Sequence, residues 1–212
     1  MNPSLIAEHL LIIAGPSGVG KSTLIRSLLS QSPSLRLSVS YTTRSPRAGE
    51  FHGVDYHFTD RASFERMRDD SAFVEWAEVH GNLYGTTRAT IEDTIRRGDD
   101  LLFDVDIQGT SSLKAAFPDA WAVLISPPTL TALHDRLVSR ATDSPDVIAR
   151  RLARARWELS QTDLFDYLLI NADLSVCALQ LQAIYTAMRC RSLRQRPLHP
   201  LFDELSPLPI AP

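Results

Sequence analysis

The stretch Gly15-Pro16-Ser17-Gly18-Val19-Gly20-Lys21-Ser22 constrains this chain more than any other, because it satisfies G-x-x-x-x-G-K-[ST] at every fixed position. The apolar run Leu10 to Ala14 leads into it as a buried parallel strand would, and Thr23 to Leu29 leads out with helical spacing. Strand, glycine-rich loop and helix in that order predict a cradle for a polyphosphate. Glycines let the backbone turn its N–H groups inward, and the helix N-terminus adds a partial positive charge. Gly15 through Thr23 are therefore the candidate triphosphate-binding set, with Lys21 reaching the terminal phosphates and the Ser22 hydroxyl ligating Mg²⁺. The plainer reading is a glycine-rich turn that merely joins two elements. Against it, only Lys21 and Lys114 among the 22 basic residues are lysines, so a chain that otherwise uses arginine has put a compact point charge in the loop.

Composition narrows the class. The chain has 212 residues, 44% hydrophobic, enough for one substantial core with a small inserted subdomain. A net charge of −3 gives no footprint for nucleic acid or an anionic membrane, and no apolar run approaches the roughly 18 residues of a membrane span. The N-terminus lacks a basic n-region and cleavage site, so no signal peptide is expected. Cys177 and Cys190 fall in one predicted helix about 20 Å apart, which rules out a disulfide between them and points to the reducing cytoplasm.

Along the chain, residues 8–14 predict the first strand, 20–31 the first helix, and Leu35 to Tyr41 a second, alternating strand. A polar loop with two arginines follows, then a short strand over 54–58, a helix over 60–67, a strand over 73–79 and a hairpin signal at Gly81-Asn82. From residue 87 helix and strand alternate again, with strands over 101–106, 121–126 and 167–171 and helices over 88–97, 109–116, 129–140, from Pro145, and over 173–192. Ser144-Pro145 predicts an N-cap and N1 pair. The expected fold is α/β: a three-layer parallel sheet of the phosphate-loop NTPase type with helices on both faces. A small β-rich insertion over 40–86 separates core segments 8–39 and 87–192, and the Pro-rich tail 193–212 is expected to be partly disordered. Asp104 and Asp106 close a strand at the carboxyl edge of that sheet, where ligands bind and where a phosphate-loop protein needs acid near Mg²⁺.

The insertion carries a resemblance. Ser38 to Glu50, Gly53-Val54-Asp55-Tyr56, Phe73-Val74-Glu75-Trp76-Ala77, Gly81 to Thr86 and Asp104 to Gly109, in that order, resemble guanylate kinase from about residue 10 to 190. The resemblance implies transfer of the γ-phosphoryl group of ATP to GMP or dGMP with Mg²⁺. It implies that Arg44, Arg47, Tyr56 and Tyr84 hold the GMP phosphate, as Arg forks and phenol hydroxyls suit a dianion. Glu75, with Ser40, Thr86 and Asp106, would read the base. An ionised carboxylate only accepts hydrogen bonds, guanine offers N1–H and the 2-amino group on one edge, and adenine does not. Singly, the arginines read as solvated loop charges and Glu75 as an outward strand residue between Val74 and Trp76.

By the same resemblance Arg136, Arg140 and Arg151, in or beside a helical lid over about 137–152, close over the ATP phosphates, Asn171 lies near the adenine, and Asp104 and Ser22 serve Mg²⁺. Lys21, Arg44 and the three lid arginines form the implied catalytic set. No general base is required, because the attacking oxygen already belongs to an anionic phosphate. Arg150, Arg154 and Arg156 read as mostly solvated helix-face charges. The chain departs from the family at Ser139-Arg140-Ala141, where Gly-Arg-Gly is common, at Leu83 before Tyr84, and at Asn171-Ala172-Asp173. A binding module holding a protein segment on the same surface, and a kinase for a ribosyl phosphate, are the alternatives. An intact loop argues against the first and the presence of Glu75 against the second. Small molecules are the only expected partners.

Overall fold

A computed structural model describes residues 3–79, 81–139, 144–191 and 194. In chain order the elements are α1 (Pro3–Ala7), β1 (Leu10–Ala14), α2 (Lys21–Gln31), β2 (Leu35–Leu37), β3 (Tyr41–Thr42), β4 (His57–Phe58), α3 (Arg61–Asp69), β5 (Phe73–Val79) and β6 (Asn82–Thr87). Then come α4 (Arg88–Arg96), β7 (Asp100–Asp104), α5 (Ile107–Ala116), β8 (Trp121–Ser126), α6 (Leu130–Val138), α7 (Pro145–Leu159), a 3-10 turn (Thr162–Leu164), β9 (Tyr167–Ile170) and α8 (Leu174–Arg189).

β1 is buried at all five positions and pairs in parallel with β7 on one side and β8 on the other. That is why its sequence is a continuous apolar run and not an alternation. The sheet runs β2-β7-β1-β8-β9, with every pairing parallel. Each parallel link needs a crossover, which places helices on both faces. Leu11 and Ile13 point into one core with Leu24 and Leu28 of α2 and Leu181 and Met188 of α8. Leu10 and Ile12 point into the other, with Ile91 of α4 and Leu113 of α5. A second sheet, β4-β3-β6-β5, is built from residues between Tyr41 and Thr87. It joins β3 to β6 and β5 to β6 antiparallel, with α5 packed on β5.

Two sequence expectations change. The single strand over 35–41 is two: Leu35–Leu37 pairs with β7, whereas Tyr41–Thr42 pairs with β6 in the other sheet. Alternation has period 2 in both sheets, so the sequence carries no mark of the switch. The strand over 54–58 shrinks to His57–Phe58, because Gly53 and Val54 lie in a turn closed by Gly53 N–H to Tyr56 O at 2.8 Å. α1 was not foreseen. Ser144 does occupy the N-cap of α7 with Pro145 at N1, but its side chain makes no capping bond. Cys177 is buried in the core and Cys190 is exposed, both free. Among the described residues no helix is long and apolar enough to cross a membrane.

At the sheet edge opposite the loop, the fully buried Asp100 gathers three segments. Its carboxylate meets His9 Nδ1 at 2.8 Å and accepts from Tyr185 Oη at 2.8 Å and Arg194 Nη2 at 2.5 Å. Burial alone would raise its pKa, but the His9, Arg194 and Tyr185 contacts outweigh it and hold the carboxyl below the usual range.

Candidate active site

The loop between β1 and α2 is held from behind. Asn171, 3% exposed at the end of β9, donates from Nδ2 to Val19 O at 2.7 Å. Arg136 donates to the Asn171 carbonyl at 2.8 Å and to Val19 O at 3.4 Å. Gly20 is left-handed at φ 99°, and a Cβ there would lie 2.6 Å from Asn171 Nδ2, so both the turn and the close approach require glycine. Side chains cap α3, α4, α5, α6 and α8, but Gly20 caps α2 with none, and with Thr23 N–H bonded to Gly20 O at 3.1 Å the N–H groups of Lys21 and Ser22 are left to the cleft in front. Arg136, expected at the phosphates, braces the loop through these bonds, and neither it nor Asn171 is among the described residues lining that cleft. Asn171 Oδ1 is buried without a hydrogen-bond partner among the described residues.

The cleft, about 940 Å³, is floored by the loop and by Lys21, Ser22 and Thr23 of α2. Asp104 and Asp106 enter from the end of β7, Tyr56 from the second sheet, and Arg150, Arg151, Arg154 and Glu158 from α7. The pairing of Ile13 with Asp104 places the end of β7 beside the loop, and the Lys21 ammonium contacts the Asp104 carboxylate. Burial pulls Lys21 down to about 8, while Glu158 and Asp106 oppose that shift. The touching Asp104 acts in the same sense as those two acids, so Lys21 is a cation at neutral pH.

Asp106 caps α5 by accepting from Gly109 N–H at 3.0 Å on Oδ1, and accepts from Arg154 Nη2 at 3.1 Å on Oδ2. Arg154 Nε donates in turn to Glu158 Oε1 at 2.8 Å. The sequence reads Arg154 as a mostly solvated helix-face charge and does not single out Glu158. Their spacing held a usable signal, since Arg150, Arg154 and Glu158 recur every four residues and Arg151 lies on the same side, giving one polar stripe on α7. Arg140 lies outside the described residues, as does much of the expected lid hinge.

The second sheet holds the other expected residues. Glu75 is 7% exposed whereas Trp76 is 44% exposed, reversing the simple reading of the strand. A register shift between Phe73 and Glu75 accompanies that orientation. Burial pushes the Glu75 carboxyl up to about 7, against hydrogen bonds from the Thr86 side chain and backbone and with the Asp106 charge adding to the rise. Ser40 Oγ lies 3.2 Å from Thr86 Oγ1, so Ser40, Glu75 and Thr86 form one polar group. Arg44 donates to both oxygens of Glu50 at 2.8 and 2.9 Å, and its guanidinium lies 5.4 Å from the Tyr56 ring centre. The rings of Tyr56 and Tyr84 meet edge to face at 5.9 Å. Arg47 is exposed, tied through its backbone N–H to Glu50 at 2.8 Å. Tyr56, lining the cleft and touching this cluster, is the described link between the two halves.

Residues 7–188 match the family described as Guanylate kinase. The guanylate kinase of Aromatoleum aromaticum is 47% identical over 90% of this chain and 93% of its own length. That of Gluconobacter oxydans is 48% identical over 89% and 91%. A crystal structure of guanylate kinase from Anaplasma phagocytophilum superimposes with a TM-score of 0.69 at 31% identity, covering 87% of this chain and 88% of that one. Matched by these relatives along nearly its whole length, the chain belongs to the guanylate kinase family.

Proposed function

We propose that this protein transfers the γ-phosphoryl group of ATP to GMP or dGMP, giving ADP and GDP or dGDP. The observation that carries the reading is the pairing of a phosphate cradle containing Lys21 with a separate polar group, Ser40 and Thr86 round the buried acid Glu75. The loop N–H groups and Lys21 hold the β- and γ-phosphates, and Asn171 Oδ1, a buried acceptor without a partner among the described residues, serves the adenine side. Arg44, Arg47, Tyr56 and Tyr84 hold the acceptor phosphate. For that Arg44 exchanges its hold on Glu50, a part-buried ion pair, for a phosphate dianion.

Glu75 accepts from guanine N1–H and the 2-amino group, with Ser40, Thr86 and Asp106 completing the pocket. Two donors aimed at one carboxylate favour its ionised form, whereas adenine would present it with a lone pair. Because the attacking phosphate oxygen is already anionic, the protein's part is alignment and charge neutralisation by Lys21, Arg44, Arg151 and Arg140, with Arg136 holding the loop in shape.

Ser22 Oγ and the Asp104 carboxylate fit Mg²⁺: both are hard oxygen donors on the same cleft, and this cation takes one or two protein ligands beside phosphates and water. When bound it neutralises charge on the transferring phosphates. The GMP-binding unit is assigned to 40–86 and the lid to 137–152; the expected tail 193–212 lies outside the described residues except Arg194, which is tied to Asp100. Free Cys177 and Cys190 fit a reducing, cytoplasmic setting, and small molecules suffice as partners.

The test is a coupled ADP-release assay with Mg·ATP and GMP, dGMP, AMP, CMP or UMP. GMP or dGMP should be consumed far faster than the others, and turnover without a guanine preference refutes the assignment.

A further inference from the structure

Arg154 belongs to no expected constellation, yet it occupies the middle of the site. From α7 it donates through Nη2 to Asp106 at 3.1 Å and through Nε to Glu158 at 2.8 Å, while Nη1 makes no hydrogen bond among the described residues. Its partner Asp106 is fixed by a second bond, from Gly109 N–H at the start of α5, so both carboxylate oxygens are engaged. α5 packs on β5, the strand that carries Glu75, and the negative charge of Asp106 is felt at Glu75. Two acids that feel each other's charge oppose each other's ionisation unless a cation stands beside one of them.

Resting on the guanine-binding reading above, we propose that Arg154 is a specificity-positioning residue: it holds Asp106 and offsets its charge, so that Glu75 can meet the guanine edge as a carboxylate. The other charged groups near Glu75 do not supply this. β6 carries no charged side chain, only the phenol of Tyr84. On α5 the one charged residue is Lys114, bound at the far end of the helix to the carbonyls of Pro118 and Ala120 at 3.0 and 2.9 Å and to Asp166 at 3.1 Å. Glu78, the other acid of β5, pairs with Arg61 at 3.3 Å on the exposed surface. Lys21 feels Asp106 through space and contacts Asp104 instead, whereas Arg154 hydrogen-bonds Asp106 directly.

Arg154 is half exposed, so Arg154→Met leaves no hole in the core and should fold. The Glu75 carboxyl carbon is followed by NMR through a pH titration of the ligand-free protein, and GMP affinity is measured by calorimetry over the same range. In Arg154→Met the Glu75 midpoint should move up by about half a pH unit or more. The pH below which GMP affinity declines should move with it, and Arg154→Lys should restore both. A midpoint unmoved in Arg154→Met, or moved downward, overturns the assignment, because a residue that only braces α7 would leave it in place. Wild-type protein that binds no GMP at any pH overturns the functional reading instead, and the carboxyl titration then judges Arg154 alone.

Discussion

Glu75→Gln separates what the pocket does for the ligand from what it costs the fold. Glu75 is 7% exposed, and burial pushes its carboxyl from 4.5 to about 7. An acid with a raised folded pKa holds its proton more tightly in the native state than in the unfolded one. The native state is then favoured below about pH 4.5 and progressively penalised as pH rises to about 7. At about 1.36 kcal/mol per pH unit, that gap corresponds to a penalty of about 3 kcal/mol above pH 7. Glutamine keeps the shape and drops the charge. Ligand-free Glu75→Gln should therefore be more stable than wild type at pH 8 by about 2–3 kcal/mol, a rise in Tm of about 5–10 °C at about 2–4 °C per kcal/mol for a chain of this size. At pH 5, where Glu75 is protonated in the folded protein but mostly ionised in the unfolded chain, the gap should shrink to about 1 kcal/mol. Losing charge-assisted acceptors to guanine should cost about 1.5–3 kcal/mol of GMP binding, or roughly 10- to 150-fold in affinity. Thermal melts at the two pH values, with calorimetry of GMP and of ATP, check this. An equal Tm change at pH 5 and pH 8, or a matching loss of ATP affinity, would refute the account of Glu75 as a buried acid that reads the base.

Lys21→Ala should lower kcat by about 10²–10³-fold while calorimetry still detects GMP, and near-normal turnover would remove Lys21 from the phosphates. Gly20→Ala should strain a left-handed residue and displace Asn171 from Val19 O, costing about 2–4 kcal/mol of stability and raising the KM for ATP more than that for GMP. A variant with unchanged Tm would show that the loop yields freely. Asp100→Ala should strand Arg194, Tyr185 and His9 and cost about 3–5 kcal/mol in urea titrations at pH 7. Because the folded pKa of Asp100 is depressed, its contribution is present above the unfolded value of 3.8 and fades as pH falls through the lower folded value, so the gap to wild type should narrow in strong acid.

The loop, its strand and its helix were legible because glycine, lysine and an apolar run each have one physical use in that order. The parallel sheet followed from the alternation of helix and strand, and burial on both faces explained why β1 does not alternate. What stayed hidden was long-range. Nothing local marks the step of Ser38 to Ser40 from one sheet to the other, and nothing near Glu75 says that it turns inward while Trp76 turns out, since the register shift belongs to the pairing with β6. Arg136 shows that a residue can be expected at the right place and still hold a different partner, Val19 O and Asn171 O, because distance to a loop 117 residues earlier is not written in spacing. Arg154 was overlooked because a charge on a helix face is usually solvated, and only the carboxylates opposite it make it otherwise.

The placement of β1 between β7 and β8 also governs how the chain can be made. β1 is the first strand to leave the ribosome, yet its nearest partners begin at Asp100 and Trp121. At about 5–20 residues per second, roughly 90 residues of synthesis leave Leu10 to Ala14 unpaired along both edges for about 5–20 s. For that interval the most apolar strand of the fold is a sticky, two-sided template, and holding it apart from its own kind is a task for the cell before catalysis is one for the enzyme.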